Sequence, residues 1–133
     1  MVFLSSCSDD PKTTAGVVAP VLGPHVDESL LALDVVNGVP VEITSYYEQG
    51  DTVHLWVRWA ELEPPHDAEA VWYNPSAQEV AAAIVTIADG PTRQVTTFSV
   101  ELLPSATIGR WEVALFLDGE LRRSHVFDVF AGP

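Results

Sequence analysis

Between Asp51 and Ala60 the chain reads D-T-V-H-L-W-V-R-W-A, and Val53, Leu55, Val57 and Trp59 alternate strictly with His54, Trp56 and Arg58. Successive side chains of a strand point to opposite faces, so this spacing gives one apolar face and one mixed face. The β-branched and aromatic content suits a pleated surface. The stretch is expected to be a half-buried strand around which the rest of the domain is built.

The flanking chain keeps the same period. Leu31, Leu33 and Val35 alternate up to Asn37-Gly38, a dipeptide that supplies the two positive-φ residues of a tight hairpin turn, and Val39 to Thr44 forms the return. Pro40 has no N–H to donate, which places that return at a sheet edge or in a kinked opening segment. Tyr46-Tyr47 and Gln49-Gly50-Asp51 read as the turn leading into the central strand, and Glu61 to Asp67 as a proline-broken acidic loop. Ala68 to Tyr73 is a short strand whose Trp72 is expected to fill the middle of the core. Glu79 to Ala88 is rich in β-branched residues and ends at Asp89-Gly90-Pro91, so it reads as a strand. Gln94 to Leu102 alternates with Thr96, Phe98, Val100 and Leu102 on one side. Arg110 to Leu117 and Glu120 to Val129 flank Asp118-Gly119, a second tight-turn signal, with Trp111, Val113, Leu115 and Leu117 sharing one face and Phe127 and Val129 marking the inward face of the last strand.

About seven or eight strands with regular turn signals, a tryptophan on the third main strand and no helical period describe an immunoglobulin-like antiparallel β-sandwich over residues 25–131. The signals also resemble a family of small bacterial envelope domains. The likeness rests on Asn37-Gly38-Val39-Pro40-Val41, Gly50-Asp51-Thr52-Val53, Trp72-Tyr73-Asn74-Pro75, Gly109-Arg110-Trp111-Glu112-Val113 and Val126-Phe127-Asp128-Val129. Ser76-Ala77 stands where that pattern usually carries a glycine. The resemblance implies an architecture and a location and brings no catalytic residues with it.

At the other end of the chain, Leu4-Ser5-Ser6-Cys7 resembles a bacterial lipobox, in which small residues precede the cysteine that accepts lipid. Residues 1–6 then read as the remnant of a signal peptide, and residues 7–24, with Pro11, Pro20 and Pro24, as a linker. The resemblance implies a lipoprotein of the bacterial cell envelope, anchored at Cys7 on the periplasmic or outer surface. Cys7 is the single cysteine, which excludes an internal disulfide. No run of about eighteen apolar residues is present to span a membrane. A net charge of −13 repels phosphate backbones, so nucleic acid is not expected as a partner.

Residue patterns for chemistry are sparse. Ser124, His125 and Asp128 have the residue types of a hydrolytic triad, but on one strand Ser124 and Asp128 face away from His125. Glu61, Glu63, His66, Asp67 and Glu69 lack the spacing of a calcium loop, and the four histidines lack metal-ligand spacing, so no metal or other cofactor is expected. The face opposite Trp59 carries Trp56 between His54 and Arg58, and an exposed tryptophan beside arginine is a hot-spot composition. Trp56, Arg58, His54 and Tyr47 are therefore the expected contact residues of a non-enzymatic module that binds another envelope protein. The alternative is a carbohydrate-binding module with exposed Trp and Tyr platforms. The simpler possibility for Trp56 is that the outer face is covered by the linker or by residues 25 to 36, or that the ring stacks on Arg58.

Overall fold

The computed structural model describes residues 23–133, which form nine strands and no helix. They are β1 (His25–Val36), β2 (Val39–Ile43), β3 (Tyr46–Glu48), β4 (Thr52–Ala60), β5 (His66–Tyr73), β6 (Glu79–Ile87), β7 (Gln94–Glu101), β8 (Gly109–Leu117) and β9 (Glu120–Phe130). One sheet has the order β2-β1-β4-β7 and the other β3-β9-β8-β5-β6, so the all-β sandwich expected from the period-two pattern is observed. Every pairing is antiparallel except that of β3 with β9.

The central stretch became β4, flanked on both sides by β1 and β7. Its Val53, Leu55, Val57 and Trp59 have no solvent exposure, as the alternation requires. They meet Ala68, Ala70 and Trp72 of β5 and the Trp111, Val113, Leu115 and Leu117 row of β8 across the inter-sheet space. Asn37 and Gly38 have φ of 53° and 74°, and Asp118 and Gly119 have 51° and 83°, so both dipeptides form turns with two left-handed residues. Ala77 also sits at φ 61°, filling with an L residue a backbone conformation that glycine adopts without cost.

Trp59 is the largest fully buried side chain, and its Nε1–H donates to Thr96 Oγ1 of β7 over 3.0 Å. A buried indole N–H without a partner carries its full desolvation penalty. Thr96→Val, which keeps the shape and removes the acceptor, is expected to lower unfolding free energy by about 1–3 kcal/mol in urea titration.

Two features depart from the sequence reading. β1 begins at His25, four residues before the alternation becomes regular, because a register shift between Val26 and Glu28 breaks the period there. β3 was expected to be turn, but Tyr46–Glu48 pairs in parallel with Asp128–Phe130. A three-residue strand shows no period of its own, and its partner lies about eighty residues downstream, so local pattern contains no trace of it.

β1 and β9 run side by side in the two sheets, and polar groups join them along their length. Arg122 donates to Pro24 O over 2.9 Å, Arg123 to Val26 O over 3.4 Å, and Ser29 Oγ lies 2.8 Å from His125 Nε2. Tyr47, next in line on β3, donates its hydroxyl to Ala32 O over 2.9 Å.

Candidate functional site

The outer face of β4 is covered. Trp56 is only 6% exposed, and its Nε1–H donates to Gly38 O over 2.8 Å, so the β1–β2 turn folds back over the indole. The Arg58 guanidinium lies 5.6 Å from the ring centroid and is itself held by Asp27 at 2.8 Å and Glu28 at 3.1 Å. Asp27 bonds Arg93 as well, and these hydrogen bonds hold its carboxyl below the usual carboxylate range. His54 is half-buried, opposite Ala32 on β1 and Ser99 on β7.

Two of the expected contact residues are therefore corrected. Trp56 is a packing residue under a hairpin, because strict alternation tells which face a side chain is on and not whether another part of the chain covers it. Tyr47 is 1% exposed and packs edge-on against Phe127 at 5.5 Å, and burial, with the charge of Asp51 adding to it, pushes its phenol well above the usual value. Neighbouring strand residues face opposite ways, so only one of Tyr46 and Tyr47 can look outward. The outward one is Tyr46, 63% exposed. Cys7 lies outside the described residues.

The acidic loop serves the adjacent turn. His66 Nδ1 lies 2.6 Å from Asp118 Oδ2, Asp118 Oδ1 accepts from the Asp67 N–H over 2.8 Å, and Thr86 donates to Asp67 over 2.9 Å. The Asp67 N–H first, and His66 second, lower the pKa of Asp118. His66 Nε2 is buried and has no hydrogen-bond partner among the described residues, so the ring is closed to a ligand on that side. Among the described residues no three His, Cys, Asp or Glu side chains converge as a metal site. Ser124 bonds Glu112 at 2.7 Å, His125 faces Ser29, and Asp128 faces Arg110 at 3.5 Å, so these three do not form a triad.

His125 is a group whose charge state the fold constrains. Burial, and secondarily the nearby Arg123, lower its pKa from the ordinary 6.5. A histidine held neutral in the folded state stabilises fully above the unfolded pKa, and that contribution is lost as pH falls through the lower folded value. The urea midpoint is therefore expected to drop as pH falls below about 6.5, and His125→Gln is expected to flatten the part of the profile between pH 6.5 and the carboxylate range.

An exposed apolar patch lies elsewhere, on the side where β3 joins β9. Ile43, Tyr46, Val126 and Phe130 are 65%, 63%, 53% and 51% exposed. Tyr46 stacks on Phe130 with centroids 6.1 Å apart and planes at 28°. Beside them a groove of about 580 Å³ is floored by Ser29–Leu31 of β1, bounded by the Ile43–Tyr46 crossover and walled by His125 and Val126. No sequence pattern shows that these residues share a surface, because β2, β3 and β9 come together only in the folded sheets.

No family model and no curated protein match the chain. Solved structures do. An immunoglobulin-like protein from Pseudomonas aeruginosa matches with a TM-score of 0.59 and 13% identity, covering 82% of this chain and 98% of that one. The fold is immunoglobulin-like. The C-terminal domain of wzt matches over 84% of this chain and 75% of its own, with a TM-score of 0.58 and 10% identity. The alkylpurine DNA glycosylase AlkC of Pseudomonas fluorescens, solved bound to DNA containing an abasic site analog, matches over 81% of this chain with a TM-score of 0.58 and 14% identity. The chain spans 30% of that glycosylase's length, and the likeness is one of fold.

Proposed function

We propose that the chain is a non-catalytic binding module of the bacterial envelope, tethered by lipid on Cys7, that holds another envelope protein against the Ile43, Tyr46, Val126 and Phe130 surface. The observation that carries this reading is the exposed apolar cluster itself. These residues are contiguous across β2, β3 and β9, with Tyr46 and Phe130 stacked on one another beside the groove. Contiguous apolar surface on a soluble domain marks a place where something docks. The lipobox-like Leu4-Ser5-Ser6-Cys7 supports the envelope location, and the acidic balance supports a protein partner over nucleic acid.

A photo-crosslinking residue at Tyr46, in cells expressing the full reading frame, is expected to trap a discrete envelope protein, with Tyr46→Ala weakening the purified complex about tenfold or more. Recovery of the same adduct from a crosslinker at exposed Val95 on β7, with Tyr46→Ala binding unchanged, removes this surface from the reading. Intact mass of the membrane-fraction protein tests the anchor separately: added diacylglyceryl mass on Cys7 supports it, and an unmodified soluble species refutes it.

Carbohydrate binding is the second reading, and one observation favours it. Tyr46 with Phe130 is an exposed aromatic pair of the kind on which a sugar ring stacks, although all four tryptophans are buried. Absence of retention on any polysaccharide of a glycan array would end it.

A further inference from the structure

The edge of the β3-containing sheet is only half made. β3 covers Asp128–Phe130 of β9, with Asp128 N–H donating to Ser45 O and Phe130 O accepting from Gln49 N–H. Main-chain groups alternate sides along a strand, so the N–H and C=O of Val126 and Ser124 point to the same open side as those of Asp128. Among the described strands none pairs with β9 there, and β1, the nearest, lies in the opposite sheet. The groove floored by Ser29–Leu31 runs along this unpaired stretch, in line with β3. β2, an edge of the other sheet, differs: Pro40 pairs with Val35 next to the turn-closing Val36 and Val39, so the position where it lacks an N–H faces outward, and Glu42 at φ 57° bends the strand beyond it. Those are devices that block strand addition, and β9 has neither.

Charge points to the occupant. The described residues include five arginines, of which Arg58 and Arg93 meet Asp27, Arg110 meets Asp128 and Arg122 meets Glu120. Arg123, at the start of the unpaired stretch, meets only the carbonyls of Arg122 and Val26 among the described residues. In a chain of net charge −13, a cation that meets no carboxylate among the described residues, beside an open strand edge, favours an anionic visitor.

Resting on the docking surface of the proposed function, we propose that β9 accepts an extended, acidic-ended segment of the partner protein by strand addition at Ser124 and Val126. The segment continues the line of β3, places alternate apolar side chains in the groove against Ile43, Tyr46 and Val126, and brings a carboxylate to Arg123. Leu121 to Phe127, seven residues with no described strand on the side away from β8, span roughly 20 Å, which five or six residues of extended peptide match.

The probes are three synthetic octapeptides of alternating valine and threonine ending in two aspartates, two lysines or two asparagines, titrated into the full chain. The aspartate peptide is expected to bind in the micromolar-to-millimolar range, to slow amide exchange at Ser124 and Val126, and to bind tighter than the lysine peptide. Val126→Pro removes an N–H that faces the open side and no bond to β8, so it is expected to fold and to abolish binding; Arg123→Glu is expected to weaken it about five- to tenfold. Binding that survives Val126→Pro, absence of charge preference, or no binding of any peptide at about 1 mM overturns strand addition. The Tyr46 crosslink reads the parent proposal independently: an adduct without strand addition leaves a side-chain-mediated module standing, and loss of both removes the surface altogether.

Discussion

Phe127→Ala is expected to lower the unfolding free energy by about 3–5 kcal/mol. Phe127 is 1% exposed and its ring lies 5.5 Å from Tyr47, 6.1 Å from Trp72 and 6.0 Å from Trp111. Those three rings sit on β3, β5 and β8, each fixed by its own strand pairing, so none can slide into the space that truncation leaves. The cost is therefore the lost transfer energy plus a cavity that stays open. Domains of this size have about 5–15 kcal/mol in total, so the variant should retain a measurable but much reduced urea midpoint with an unchanged slope. Phe127→Leu, which keeps most of the volume, should lose about 1–2 kcal/mol. A loss below about 1 kcal/mol for the alanine variant would mean that the aromatic cluster is not closely packed.

Trp56→Ala is expected to lose about 3 kcal/mol of stability and to leave binding at the Tyr46 surface unchanged. The indole lies between the sheet and the β1–β2 turn, donating to Gly38 O on one side and stacking with Arg58 on the other. Removing it frees the turn, so amide exchange at Val36 and Val39 should accelerate more than exchange in β4. Trp56→Phe keeps much of the buried area and loses the hydrogen bond, for a cost of about 1 kcal/mol. A stable Trp56→Ala protein with a lost partner would restore the outer face of β4 as the contact surface.

The sequence announced the parts of this fold that depend on neighbouring residues. Val53 to Trp59, the Trp111 to Leu117 row and the Asn37-Gly38 and Asp118-Gly119 turns all follow from local period and backbone preference, and all are observed. What it did not announce depends on chain that returns from far away. Trp56 has an outward-pointing pattern and is hidden by Gly38; Tyr47 is turned inward by the pairing that sets it opposite Val129 of β9. The candidate surface was illegible for the same reason, since Ile43, Tyr46, Val126 and Phe130 converge only after β2 and β3 divide between the two sheets. The exposed half of β9 is invisible in a sequence, where every strand looks equally free to pair.

The side-by-side run of β1 and β9 has a mechanical meaning. Contacts pair Pro24 with Arg122, Val26 with Arg123 and Ser29 with His125, so the two strands point the same way and the chain enters at one end of the sandwich and leaves at the other. A pull applied at Gly23 and at Pro133 would load these links in shear, all together, instead of opening them one by one. A domain stretched between a surface and a load would yield late and abruptly under such a force.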